Sequence, residues 1–159
     1  EGAERALRLA RDLGIPSLID ADIAPVDISG VIDLATFTIF SERGLEMVSG
    51  EKDLEAGLVL VNDSSPTWPA VTSGEQGSFW LDQYGLQKCA AEPIEAVDTC
   101  GAGDVFHGAF AVAMTEKKVI GEAMHFAGVA AALKCQTFGG SLGAPKRAAV
   151  DGYLSTARP

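Results

Sequence analysis

The chain has 159 residues, 47% hydrophobic and 21% charged, a balance that excludes a disordered or collagen-like polymer and fits one soluble globular unit with a core. Twelve Lys and Arg against 22 Asp and Glu leave a net charge of −10, so the protein's own field opposes tracking along a phosphate backbone, and nucleic acid is not an expected partner. No apolar run approaches the roughly 18 residues that cross a bilayer, nothing at the start reads as a signal peptide, and Cys89, Cys100 and Cys135 form no CxxC pair, so no membrane partner is expected and a cytoplasmic location is.

The chain opens without Met in a helical pattern that runs to Gly14, with Leu9 and Leu13 on one face, and is expected to begin inside a longer protein. Ser17-Leu18-Ile19-Asp20 reads as a buried strand, 26–34 as a second helix, and Thr36-Phe37-Thr38-Ile39-Phe40, β-branched and aromatic, as the next strand. Ser41 and Glu42 start another helix through Met47. The stretch 52–62 fits both helix and strand; the crossover due between parallel strands favours helix. Two strands, 69–73 and 78–81, flank the turn Gly74-Glu75-Gln76-Gly77, and 86–90 adds an edge strand. Helices follow at 102–115 and 120–134, then a Gly-rich loop at 138–144 and a final helix with Pro145 in its first turn. The reading is one α/β unit with a largely parallel sheet flanked by helices in three layers.

The chemistry concentrates in Asp98-Thr99-Cys100-Gly101-Ala102-Gly103-Asp104-Val105-Phe106-His107-Gly108. A loop of small residues runs into a helix, whose first-turn N–H groups and positive dipole end suit an anion, and Gly101 and Gly103 let that anion approach the backbone. The helix behind is apolar from Val105 to Met114 and is expected to be buried on nearly all sides, which makes the carboxylate of Asp104 at its head costly unless it is used. Asp98 or Thr99 could instead merely cap the helix, but a cap needs neither Gly101 and Gly103 together nor Gly108, which is unfavourable inside a helix unless close packing requires it.

These residues resemble the C-terminal signature of the ribokinase-like (PfkB-type) carbohydrate kinases, Asp-Thr-x-Gly-Ala-Gly-Asp followed by Phe and Gly. Val71-Thr72-Ser73-Gly74-Glu75-Gln76-Gly77 is similar to the family's nucleotide-side strand and turn. Ala127-Gly128-Val129-Ala130-Ala131-Ala132-Leu133-Lys134-Cys135, with Gly139-Gly140 and Pro145, resembles its closing helix and loop. Asp20-Ala21-Asp22-Ile23-Ala24-Pro25 and Phe40-Ser41-Glu42-Arg43-Gly44-Leu45 look closest to the ketohexokinase and sulfofructose kinase branch. The resemblance covers essentially all of residues 1–159 and implies the C-terminal, nucleotide-binding and catalytic half of such a kinase, without its N-terminal half and lid.

By that resemblance, Asp104 is the base that takes the proton of a sugar hydroxyl attacking the γ-phosphate of ATP, and Gly101, Ala102 and Gly103 form the anion hole. Thr72, Gly74 and Gly77 contact the nucleotide, Gly128 lies on the helix that walls the adenine, and Mg²⁺ comes with ATP rather than in a site of its own. The partners implied are ATP and a small sugar, with a homodimer allowed. The chain departs from the family where Ser41-Glu42-Arg43-Gly44 replaces Asn-x-x-Glu, and where Gly143 replaces the serine of ribokinase's monovalent-cation loop. A kinase for another alcohol, such as a nucleoside or 2-keto-3-deoxygluconate, and a non-catalytic nucleotide-binding module remain as alternatives. Asp20 and Asp22 sit at a strand's carboxyl end, where open α/β sheets bind ligands, but turn acids are also common there. His107, Trp68 and Trp80 read as packing residues.

Overall fold

The computed structural model describes residues 2–24 and 26–156. The elements are α1 (Gly2–Asp12), β1 (Leu18–Ala21), α2 (Ser29–Ile32), β2 (Phe37–Ser41), α3 (Glu42–Ser49), α4 (Leu54–Ser64), β3 (Trp68–Thr72), a 3-10 turn (Gly74–Gln76), β4 (Ser78–Asp82) and β5 (Gly85–Cys89). After these come α5 (Ala102–Thr115), α6 (Ile120–Cys135), a second 3-10 turn (Gly140–Gly143) and α7 (Arg147–Thr156). By its contacts the chain divides into two compact units, Glu1–Ser73 with Phe79–Lys88, and Gly74–Ser78 with Cys89–Pro159.

The first unit carries a five-stranded sheet in the order β1-β2-β3-β4-β5. β1, β2 and β3 run parallel, with Leu18 beside Phe37 and Phe37 beside Trp68. In β2 the successive residues Thr38, Ile39 and Phe40 are all fully buried, so both faces of the strand are covered, and the run is apolar rather than alternating. The one polar member, Thr38, meets the Thr67 hydroxyl at 2.8 Å. Only Gln83 and Tyr84 separate β4 from β5, which makes that pair an antiparallel hairpin and the sheet mixed. Phe40, Leu45, Leu58, Val61 and Val71 form the main core; Leu7, Leu34 and Ala35 form a smaller one.

Local chemistry explains the element ends. Ser41 caps α3 by accepting from Gly44 N–H (3.0 Å), and Gly50 closes it in the left-handed conformation (φ 79°). The ambiguous 52–62 stretch is helical, α4, because Asp53 accepts from Ala56 N–H (2.9 Å) and Leu58 and Val61 face the core. In α1 Leu9 and Leu13 are exposed and Leu7 is buried. Two expectations shift. The helix expected at 26–34 shrinks to the four residues of α2, because Asp27 binds both the N–H and the hydroxyl of Ser29 and starts the turn only there. Pro145 precedes α7, whose first turn closes on the Lys146 carbonyl.

In the second unit α5 packs on α6, and α6 on α7. α6 is the helix buried nearly all round, through Ala123, Met124, Phe126, Ala127, Val129, Ala130, Lys134 and Cys135. α5 buries one face, Phe106, His107, Phe110 and Ala113, and leaves Asp104, Gly108 and Val112 exposed, which corrects the expectation that it is enclosed. Nor does close packing account for Gly108, since a Cβ there would meet no atom within 4 Å. Among the described residues no helix is long and apolar enough to cross a membrane.

Candidate active site

Residues 98–104 are shaped by their backbone. Gly101 is the N-cap of α5 in the left-handed conformation (φ 79°, ψ 10°), a geometry that costs a residue with a Cβ about 1–2 kcal/mol. The cap uses no side chain. The Ala102 N–H is already engaged by the Thr99 carbonyl (3.1 Å), while the Gly103 and Asp104 N–H groups find no acceptor among the described residues. The Gly101 N–H likewise finds none, so the amides open to an anion are those of Gly101 and Gly103, two of the three predicted residues, joined by that of Asp104. Asp104, in the first turn, is exposed, and no Cβ obstructs the approach at Gly103. His107 Nδ1 lies 2.6 Å from the Gly103 carbonyl, so that nitrogen carries the proton and the ring braces the first turn.

Asp98 is the hub of the turn, more than a helix cap. One carboxylate oxygen accepts from Cys100 N–H (2.9 Å), the other from Gly139 N–H (3.0 Å) and Gly140 N–H (3.1 Å). Lys134, fully buried at the end of α6, donates to the Asp98 carbonyl (2.6 Å) and lies 3.3 Å from its carboxylate. The backbone donors from Cys100, Gly140 and Gly139 hold the Asp98 carboxyl far below the usual carboxylate range, with Lys134 adding to the effect. The sequence reading passed over Asp98 and Lys134 as a pair. The available signal was a lysine in the last turn of a helix that is apolar from Phe126 to Leu133.

The other predicted residues divide between the two units. Gly74, Gly77 and Gly128 belong to the second, with Gly101, Ala102, Gly103 and Asp104; Thr72 belongs to the first. Gly77 (φ 95°) admits no side chain, because a Cβ would lie 2.0 Å from the Cys89 carbonyl oxygen. Gly128, in the middle of α6, faces open space: a Cβ there meets nothing within 4 Å. Thr72, at the carboxyl end of β3, donates its hydroxyl to the Phe40 carbonyl (3.3 Å). The next residue, Ser73, donates to the Glu42 carboxylate, so Glu42 is held at the same strand edge. Asp22 accepts from the Ser41 hydroxyl (2.7 Å), which lowers its pKa and gives it a structural task. Trp80 is buried and Trp68 packs edge-on against Phe37 at 5.8 Å.

Away from this region, the Glu92 carboxylate takes His125 Nε2 and the Tyr153 hydroxyl, each at 2.9 Å, and so ties the segment after β5 to α6 and α7.

Comparison with known proteins gives one consistent result. The chain is 36% identical over 124 residues to ribokinase from Bacillus subtilis, a match covering 78% of this chain and 41% of the relative. It superposes on a candidate ribokinase from Agrobacterium tumefaciens with a TM-score of 0.90 and 39% identity, covering 97% of this chain and 52% of that one. It also superposes on Arabidopsis thaliana ribokinase complexed with ribose and ATP (TM-score 0.83, 27% identity, 96% and 51% covered). The chain thus spans about half the length of these relatives. With its sheet and helices matching theirs, and with residues 1–147 fitting the sequence model of the pfkB family carbohydrate kinases, the chain belongs to that family.

Proposed function

We propose that this chain is the C-terminal, nucleotide-binding and catalytic part of an ATP-dependent kinase that phosphorylates a sugar hydroxyl. The observation that carries the reading is the head of α5, where amides without protein acceptors stand beside the exposed carboxylate of Asp104. Phosphoryl transfer needs positioned charge more than covalent chemistry, and this turn supplies both an anion-binding cradle and a base. In the reaction the sugar oxygen forms a bond to Pγ as the bond from Pγ to the β,γ-bridging oxygen breaks and ADP leaves. The hydroxyl proton passes to Asp104. In the anion hole of Gly101, Ala102 and Gly103, the Gly101 and Gly103 N–H groups, together with the Asp104 N–H, receive the charge on the phosphoryl oxygens, while Ala102 holds the turn through Thr99. Thr72, Gly74 and Gly77 contact the nucleotide, and the open surface at Gly128 gives the adenine room against α6.

Magnesium belongs to the substrate as MgATP. Such an ion keeps phosphate and water as its main ligands. The Arabidopsis relative's ribose and ATP support a sugar and a nucleotide as the substrate pair. A ketose is the acceptor suggested by the stretches around Asp22 and Ser41. The likeness to ribokinases makes ribose the second acceptor.

The test is sugar-dependent ADP release by the full-length protein on a panel of fructose, ribose, a nucleoside and 2-keto-3-deoxygluconate. Turnover with a sugar is expected. Turnover only with the nucleoside or the keto acid moves the acceptor class, and nucleotide binding with no turnover on any member replaces the kinase with a binding module.

A further inference from the structure

We propose that Lys134 is a positioning residue for phosphoryl transfer: its buried ammonium acts as a tethered cation that, through Asp98, fixes the turn presenting the α5 amides. The assignment rests on the kinase reading above. Lys134 has no exposed side-chain surface, and its one ion-pair partner among the described residues is Asp98. Lysine is rarely buried completely without a role for its charge. Its stem adds little packing that a leucine or methionine could not supply, so the ammonium is the distinctive part.

The contacts show what the ammonium organises. The Asp98 N–H donates to the Cys135 carbonyl (3.0 Å), as does the Val97 N–H (2.8 Å), so the chain before the turn is clamped to the end of α6. Nζ then takes the Asp98 carbonyl and approaches its carboxylate. From that carboxylate, one oxygen reaches forward to Cys100 N–H, immediately before the left-handed Gly101, and the other reaches across to Gly139 and Gly140. A single charge pair therefore joins three segments: the end of α6, the loop that follows it, and the turn leading into α5. The positive charge also lies at the carboxyl end of α6, where the helix dipole favours it. Without the ammonium, a largely buried carboxylate loses its counter-charge, and the turn it directs loses its anchor.

Three measurements on the full-length protein test this. Lys134→Ala removes three methylenes and the ammonium and so opens a space beside the Asp98 oxygens, and Lys134→Met refills most of that space with an uncharged chain. Both are expected to lower kcat by about 10- to 100-fold, the scale of a misplacement near 1 Å, with KM for the sugar unchanged. Ammonium chloride should restore most of the lost turnover to Lys134→Ala, whereas tetramethylammonium chloride at equal ionic strength should not, and Lys134→Met should respond to neither. Thermal melts should follow the same order, with ammonium selectively raising the melting temperature of Lys134→Ala. Amide exchange across 100–104 should speed up in Lys134→Met.

Wild-type kcat in Lys134→Met, or a Lys134→Ala variant that ammonium neither reactivates nor stabilises, overturns the proposal. If Lys134→Ala does not fold even with ammonium present, the tethered-cation role is likewise rejected. The melt and exchange measurements need no turnover. A wild-type protein without kinase activity therefore removes the kinase reading, while they decide separately whether Lys134 and Asp98 govern the turn.

Discussion

Asp104 and Asp98 lie six residues apart in one motif and have opposite circumstances. Asp104 stands exposed at the start of α5, free to meet a hydroxyl, while Asp98 is surrounded by donors and ion-paired to Lys134. Asp104→Asn keeps the size and the place in the helix but cannot accept a proton. In the full-length protein, kcat should fall by roughly 100- to 10,000-fold, the usual worth of a positioned general base, with KM for ATP little changed. Steady-state kinetics check this, and retention of more than about a tenth of wild-type kcat removes Asp104 from the role. For Asp98 the consequence is in stability. Its folded-state pKa is depressed, chiefly by the backbone donors of Cys100, Gly140 and Gly139, so the unfolded chain binds its proton more tightly. Its contribution is complete above the ordinary carboxylate value near pH 4 and is lost as pH falls from there through the depressed folded value. Asp98→Asn should lower the melting temperature at pH 7 and narrow its gap from wild type as the melts move into acid. A gap that stays constant between pH 7 and pH 2.5 would falsify the depressed pKa.

At the scale of the elements, one of the two long helices departs from the burial expected of it. α5 reads as enclosed because it is apolar along its length, yet one face stays open; α6 is enclosed, and its single charged residue near the end is paired internally. Hydrophobicity gives the existence of both helices and even the bounds of α5, since each is a long and largely apolar run. Which face meets a partner depends on tertiary packing, which composition does not encode. The same holds for α1, where Leu9 and Leu13 are exposed and Leu7 is buried, and for α2, where the Asp27 side chain overrides helical propensity. At the candidate site, Gly101 and Gly77 were legible because left-handed geometry, and at Gly77 close approach as well, demands glycine. The Asp98–Lys134 link was not, because it joins positions 36 residues apart. Gly128 makes the α6 argument testable. A side chain there meets no protein atom within 4 Å, and any residue but proline raises helix propensity over glycine, by up to about 1 kcal/mol. Gly128→Leu should therefore leave the melting temperature unchanged or higher while weakening ATP binding about tenfold, or 1.4 kcal/mol. Calorimetric titration alongside a thermal melt checks both halves, and undiminished ATP affinity removes Gly128 from the adenine wall.

For the whole molecule, the net charge of −10 and the anion-binding turn pull in opposite directions. Long-range attraction therefore does not bring a polyphosphate to this chain, and the local amides, with magnesium carried by the nucleotide, must hold it. Local binding of one substrate is not catalysis. Transfer requires the acceptor hydroxyl to be held within about 3–3.5 Å of the phosphorus and in line with the leaving oxygen, and it requires water to be kept from competing. In this chain Asp104 stands exposed, and the face of α5 below it, through Gly108 and Val112, is open. The matched relatives are about twice as long. We therefore expect the isolated 159-residue polypeptide to release little ADP in a sugar-dependent manner, because the groups that orient the sugar and exclude water lie in the remainder of such a kinase. A coupled assay with saturating MgATP and each sugar of the panel, read against the sugar-free rate, measures this directly. ADP release at the rate of the full-length protein would mean that the 159 residues hold an acceptor site of their own, and the assignment of this chain as half of a kinase would have to be abandoned.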